Sequence, residues 1–313
     1  MSERTTEEGW GEHLGGQLTD LLGAPPGALE DQGSGIDAAD STLKLLVRDR
    51  AGAPAAFALC SAAAAPDMVA RACARARAAR DALGEELGSV IVAPLAEGAR
   101  DGRSWCVLPL LETLSSARLA ALVERRRLRP ALFAWLRRAT ARTVSAPEGE
   151  EPSREFRTPL AALVAMQAAP DTLRAAGEAA LAGLEAGAWA PRHVLLHNDL
   201  WLGNVLIDSR PDGPRAGRPW AERFVLVDWP GSRLRGHPLY DLLRLAGSMG
   251  TGRRVLRAEI AAHAAILGCD PAAARHHLVA ALAWLAAHLE ECPVEVFART
   301  SAACLARFDQ AAR

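Results

Sequence analysis

The stretch Val194-Leu-Leu-His-Asn-Asp-Leu-Trp-Leu-Gly-Asn-Val-Leu-Ile207 decides how the rest of the chain is read. Its two ends are short apolar runs, 194–196 and 205–207, which read as strands on either side of a polar loop. Within that loop His197, Asp199 and Asn204 form the pattern HxDxxxxN. A tight loop between paired strands brings Asp199 and Asn204 to one rim. A second carboxylate, Asp228, closes the apolar run 224–227 in the order Val-Asp-Trp. These residue types suit phosphoryl transfer, which needs a carboxylate to orient an attacking hydroxyl and oxygen ligands to hold Mg²⁺ on the phosphates. On this reading Asp199 faces the acceptor, and Asn204 and Asp228 face the metal.

Each of these residues also has a plainer reading, Asp199 and Asn204 as turn formers and Asp228 as a strand-end cap. That reading accounts for them singly but not for their joint order. His193 and His197 stand four apart, a zinc spacing if the segment were helical. On a strand they lie about 13 Å apart at roughly 3.3 Å per residue and cannot share a metal. Pro191 and the apolar Val-Leu-Leu between them favour the strand.

Upstream, residues 10–22 form a short amphipathic helix broken by Ala24-Pro-Pro-Gly27. Residues 42–50 and 55–60 read as a hairpin, 67–87 as a helix capped by Asp67, and 90–93 with 105–111 as a second hairpin-like pair. The first 112 residues are therefore β, β, α, β, β after one helix. From Thr113 onward the pattern is helical, at 115–127, 130–144, 159–168 and 172–186, with 145–157 as a loop. The short strands around the HxDxxxxN loop interrupt it, and residues 209–222 read as an exposed loop. Helices return from Asp241 to the end, and the apolar run 278–289 reads as a buried helix too short to span a bilayer.

This combination resembles the aminoglycoside phosphotransferase and choline kinase group, itself similar to eukaryotic protein kinases. The residues that carry the resemblance are His197, Asp199, Gly203, Asn204, Asp228 and Trp229, extended by Gly236-His-Pro-Leu-Tyr-Asp241. Asp-Leu-Trp-x-Gly-Asn with Gly-His-x-x-Tyr-Asp is similar to fructosamine kinases, and His-Asn-Asp to choline kinases. The resemblance implies an α+β, bilobal protein kinase-like fold. Residues 1–112 would be a small antiparallel-sheet lobe that binds nucleotide, and residues 113–313 a mostly helical lobe with the catalytic loop and acceptor site. It implies ATP and Mg²⁺ as cofactors, Asp199 as the catalytic residue, Asn204 and Asp228 as metal ligands, His197 and Asp241 as supports of the loop, and Trp229 as packing.

The group also places a lysine on the third strand of the small lobe and a glutamate on the following helix. Here the lysine position falls near Cys60, and the helix offers Arg71, Arg75, Arg77 and Arg80, with Glu85 and Glu86 only at its far end. Lys44, the only lysine in the chain, lies on the preceding strand. It either reaches the phosphates from there or is an exposed strand lysine. Gly33 and Gly35 are either the backbone loop over the phosphates or a plain turn. The run 108–112, with Leu110 and Glu112, falls where the lobes join and offers backbone groups to adenine.

Of 313 residues, 50% are hydrophobic and 23% charged, the balance of a soluble globular protein. A formal net charge of −1 gives no overall field toward nucleic acid or a membrane surface. The expected partner is a small-molecule hydroxyl acceptor, such as an amino sugar or amino alcohol. The polar, acidic start MSERTTEEGW lacks the features of a secretion signal, and the expected location is the cytoplasm. Six scattered cysteines read as buried reduced thiols. Aromatic content of 5% limits a choline-type cage, although Trp284 with Glu290 and Glu291 would meet a cationic acceptor if Trp284 is not packed. The alternative to an active kinase is a pseudokinase that binds nucleotide or a protein partner.

Overall fold

The computed structural model describes residues 3–33, 42–289 and 293–313, so Gly35, Glu290 and Glu291 lie outside the described residues. The chain begins with α1 (Glu3–Leu22), then β1 (Ala28–Asp31), β2 (Leu43–Arg48), β3 (Pro54–Cys60), α2 (Met68–Gly88), β4 (Ala96–Arg100) and β5 (Arg103–Pro109). The strands form one antiparallel sheet in the order β1-β2-β3-β5-β4. Alternation along each strand sorts its side chains to two faces. Leu45, Val47, Ala56, Ala58, Cys60, Trp105 and Val107 meet Trp10, Leu14 and Leu18 of α1 on one face. Leu59, Cys106 and Leu108 meet Val69 and Cys73 of α2 on the other.

This part of the chain differs from the sequence reading in three places. Residues 28–31 form a first strand not read from the sequence. Residues 90–93 do not pair with β5, whose partner is β4 across the two-residue turn Asp101-Gly102, with φ of 50° and 75°. Asp-Gly is a strong turn signal for such a hairpin because both positions need positive φ. Val90 and Ile91 instead join Leu226 in the other half of the molecule. Asp67 stands at the start of α2 without a side-chain capping bond. The first helical N–H groups go to buried hydroxyls, Val69 N to Ser61 Oγ at 3.0 Å and Ala70 N to Ser104 Oγ at 3.1 Å.

The helical part runs through α3 (Arg118–Thr143), α4 (Thr158–Ala165) and α5 (Asp171–Glu185), then β6 (Val194–Leu196), β7 (Val205–Ile207), β8 (Phe224–Leu226) and β9 (Arg233–Gly236). It ends with α6 (Tyr240–Ser248), α7 (Arg253–Leu267), α8 (Pro271–Ala287) and α9 (Val294–Ala312). The two helices expected on either side of Pro130 are one. A continuous buried stripe of Leu128, Leu132, Phe133, Trp135, Leu136 and Ala139 outweighs the backbone bond that Pro130 cannot make. The expected loop 145–157 ends in a π-helical turn, Pro152–Arg157, that feeds α4. The central α8 is apolar on all sides, with Leu278, Val279, Ala280 and Leu282 fully enclosed. Among the described residues no helix is long and apolar enough to cross a membrane.

Two antiparallel ribbons, β6 with β9 and β7 with β8, sit on these helices and carry the polar loop. The first needs Gly236, because a Cβ there would stand 2.3 Å from the Cβ of Leu196. Gly236→Ala is therefore expected to lower stability by about 1–3 kcal/mol through overpacking. A urea midpoint that falls with unchanged slope checks this.

Candidate active site

β6 ends in the loop 197–204, and the loop is held from below by α6. Asp241, in the first turn of α6, accepts the backbone N–H of His197 on Oδ2 at 2.6 Å and that of Asn198 on Oδ1 at 3.1 Å. One carboxylate thus fixes two consecutive peptide groups, with Asn198 at φ 74°. Burial raises the Asp241 pKa to about 7, against the lowering effect of the amides of His197, Asn198 and Leu200.

His197 ties the loop to the end of β8. Its Nε2 lies 3.0 Å from the Val227 carbonyl, and its ring packs against Trp229 at 4.4 Å between centroids. Burial lowers its pKa to about 4, so the ring is neutral and Nε2–H donates to the carbonyl. The Trp229 indole N–H donates to the Leu226 carbonyl at 3.2 Å.

Asn204 links the two carboxylates expected at the site. Its Nδ2 donates to the Asp199 carbonyl at 2.9 Å and to Asp199 Oδ2 at 3.2 Å, while its own carbonyl accepts Val227 N–H at 3.1 Å. The amide nitrogen is committed, so Oδ1 is the atom that Asn204 can offer a cation. Asp228 follows Val227 directly and has φ 67°, a conformation unfavourable for a non-glycine residue and frequent at functional sites. A carboxylate and an amide oxygen fit Mg²⁺, which takes one or two protein oxygens and completes its shell with phosphates and water. They do not form a dedicated metal cage, and among the described residues no group of three or more His, Cys, Asp or Glu could hold a metal.

Arg244 was not read from the sequence. From α6 it donates Nη2 to Asp199 Oδ1 at 2.7 Å. The available signal was its position three residues after Asp241, on the same side of one helix. Beside it Trp201 is 44% exposed, its ring standing over Gly203, where an added Cβ would come within 2.4 Å of the ring.

A cavity of about 110 Å³ opens beside Asp228. Asp228, Trp229 and Pro230 form one wall and Leu59, Cys106 and Leu108 of the sheet another, with Ala72, Cys73 and Ala76 of α2 between them. Leu59 is the last cleft-facing position of β3, and Lys44 is its direct partner on β2. Cys60, where the sequence reading looked for a lysine, points to the opposite face and packs under α1. Gly33 has φ 66° and donates its N–H to Asp31 Oδ1 at 2.8 Å. Both main-chain groups of Glu112 pair with Ile207, at 3.0 and 2.9 Å, so Glu112 does not offer its backbone to a ligand. Among the described residues Leu110 and Leu111 are the members of that run with no backbone partner. Trp284 is packed on both faces, under Arg233 at 4.1 Å and against His288 at 4.2 Å, which removes it as a cage for a cationic acceptor.

No known protein-family profile matches the chain, and no curated protein does. Solved structures do. A thermostable mutant of an aminoglycoside phosphotransferase, in ternary complex with AMP-PNP and hygromycin B, aligns over 95% of this chain and 98% of its own at 16% identity and TM-score 0.53. Choline kinase LicA from Streptococcus pneumoniae aligns over 94% and 98% at 14% identity and TM-score 0.51. A candidate fructosamine-3-kinase from Haemophilus somnus 129PT aligns over 96% and 97% at 10% identity and TM-score 0.51. The chain has the α+β fold of these proteins. That fold is the protein kinase-like fold of small-molecule phosphotransferases.

The buried histidines make the folded state sensitive to acid. Burial lowers the pKa of His193, His197, His237 and His277, to about 4 for His197 and about 3 for His277. The unfolded chain binds these protons from about pH 6.5 downward, so their contribution is present above that pH and is lost as pH falls through the folded values. Asp241, raised to about 7, acts in the opposite sense between pH 7 and its ordinary value, but it is one group against several histidines, since burial lowers His263 and His276 as well. Stability measured by urea titration is expected to fall between pH 6.5 and 4, more steeply than the roughly 1.4 kcal/mol per pH unit of a single group.

Proposed function

We propose that this protein is an ATP- and Mg²⁺-dependent small-molecule kinase that transfers a γ-phosphoryl group to a substrate hydroxyl. The observation that carries the proposal is the chain of contacts Arg244–Asp199–Asn204–Val227, which links Asp199 through Asn204 to the residue before Asp228 and so supports a carboxylate and two oxygen ligands at one rim. Residues 1–112 serve as the nucleotide lobe, with the Leu110 and Leu111 backbone toward adenine and Gly33 toward the phosphates. Residues 113–313 carry the catalytic loop and receive the acceptor.

In the proposed reaction Asp199 orients the acceptor hydroxyl through its carboxylate, whose Oδ1 accepts from Arg244 and whose Oδ2 accepts from Asn204, each oxygen keeping a further lone pair. The hydroxyl oxygen bonds to the γ-phosphorus, the bond from that phosphorus to the β–γ bridging oxygen breaks, and the hydroxyl proton passes to the Asp199 carboxylate. Asn204 Oδ1 and Asp228 would hold Mg²⁺, which draws phosphate oxygens together and offsets their charge. Trp201 gives the acceptor an apolar face to lie against. Amino sugars, amino alcohols and ketosamines are the acceptor classes to try first.

Lys44 takes the part of the absent third-strand lysine. Directly paired residues on neighbouring strands have their side chains on one face about 5 Å apart, so a lysine opposite Leu59 starts one strand away and reaches the same space. A second reading, a pseudokinase that binds without transfer, is favoured by Leu59, Ala72 and Ala76 standing where a lysine–glutamate pair would be.

Turnover of ATP against the acceptor panel separates the two. An active kinase loses about 100-fold or more in kcat with Asp199→Ala or Asp228→Ala; wild type that binds Mg²⁺ATP through Asp228 without turnover is the pseudokinase. Lys44→Ala is expected to raise the KM for ATP by about tenfold, the value of one charge-assisted contact. An unchanged KM removes Lys44 from the site.

A further inference from the structure

The α2 wall of the cleft carries no charge: Met68, Val69, Ala72, Cys73 and Ala76 line it. A polyphosphate beside Asp228 would bring several negative charges against that wall, and their burial requires an opposite charge within reach. Four arginines lie on this stretch of α2, and the structure separates them. Arg71 rests on the Met68 sulfur at 3.6 Å. Arg77 pairs with Glu97 on β4. Arg80 lines a different cleft with Asp81, Glu85 and Arg218. Arg75 crosses to the other wall of the site, where Nη1 donates to the carbonyl of Pro230.

Pro230 lies two residues beyond Asp228 and lines the same cavity. Arg75 is three residues after Ala72 and so stands on the same side of the helix. A guanidinium has five N–H donors in a planar fork that matches phosphate oxygens. One is used on Pro230, and among the described residues Arg75 has no other acceptor. It is exposed at the edge of the cleft.

We propose that Arg75 binds the phosphate chain of the nucleotide, and that it couples α2 to the Asp228 loop in place of the lysine–glutamate pair. This rests on the kinase reading above. The Pro230 carbonyl fixes the position of the fork, and the remaining N–H groups meet phosphate oxygens beside Asp228. Lys44 approaches from the sheet and Arg75 from the helix, so one cation serves each side of the cleft.

The experiment is a set of binding titrations with Mg²⁺ present, using ATP, ADP and adenosine on wild type, Arg75→Ala and Arg75→Lys. Arg75 is exposed, so both variants are expected to fold, and equal thermal midpoints check this. Arg75→Ala should weaken ATP by about tenfold or more, ADP by less, and adenosine by under about twofold, with Arg75→Lys recovering part of the ATP loss. An equal loss for all three ligands makes Arg75 a structural latch only and overturns the proposal, as does no loss for any. If wild type binds none of the three, the kinase reading itself falls and takes this inference with it. If wild type binds ATP and Arg75→Ala does so equally well, only the assignment of Arg75 falls.

Discussion

The grip of the Asp241 carboxylate on two consecutive backbone amides is the constraint on which the site depends. It sets the direction in which the chain leaves β6, and thereby the placement of Asp199 two residues later. An isolated buried carboxylate is costly, and the raised pKa of Asp241 records that cost; the amide donors offset it. Of the four non-glycine residues with positive φ among the described residues, three (Asn198, Asp228 and Leu239) surround this grip, and the fourth is in the Asp101-Gly102 turn. Each costs on the order of 1 kcal/mol or more in an isolated chain. The strain is concentrated where His197, Asn204 and Asp241 hold the backbone from three sides.

The cleft proposed for the nucleotide is built on the opposite principle. Where the loop is over-determined by hydrogen bonds, the cleft beside it is walled by Leu59, Ala72, Cys73, Ala76 and Cys106. A lysine–glutamate pair brings its own compensation for burial, and removing both partners together leaves neither charge stranded. Small apolar side chains then close the space, and the positive charge that phosphates require moves to the margins, to β2 and to the flank of α2. Loss of the pair therefore has a physical meaning other than loss of nucleotide binding.

The parts of this arrangement that were legible in the sequence share one property: they are set by neighbours in the chain. The strand-loop-strand reading of residues 194–207, the hairpin of β2 and β3, and the helical character of α2 and α8 follow from local periodicity and punctuation. What was not legible depends on partners distant in sequence. β1 is four residues of Ala-Leu-Glu-Asp, without β-branched side chains, and becomes a strand because β2 offers it an edge. Val90 and Ile91 look like hairpin residues and are drawn to Leu226 instead. Asp67 is well placed to cap α2, but hydroxyls from Ser61 and Ser104, the latter 34 residues away from the amide it serves, do so. Pro130 reads as a break until the buried stripe on either side of it is seen to be continuous. For the site, residue types and order carried Asp199, Asn204 and Asp228. Arg75 and Arg244 were lost among 36 basic residues, because composition gives no reason to prefer one arginine over another.

The two halves of the proposed reaction are also held by different parts of the molecule. Asp199 is held by Arg244 of α6 and by Asn204, and Asp241 of α6 holds the two residues before it. The proposed oxygen ligands lie at the ends of β7 and β8, and contacts from the first part of the chain end on or beside those strands: Glu112 on Ile207, Val90 and Val92 on Leu226, and Arg75 on Pro230. The residues that make these contacts lie on α2 and in the segments before β4 and after β5, outside the sheet itself, whereas the leucines of α6, Leu242, Leu243 and Leu245, are buried in the core that also holds α8. Asn204, bonded to Asp199 on one side and to Val227 on the other, is the link between these two sets of contacts, so a substitution there disturbs both halves of the proposed reaction at once.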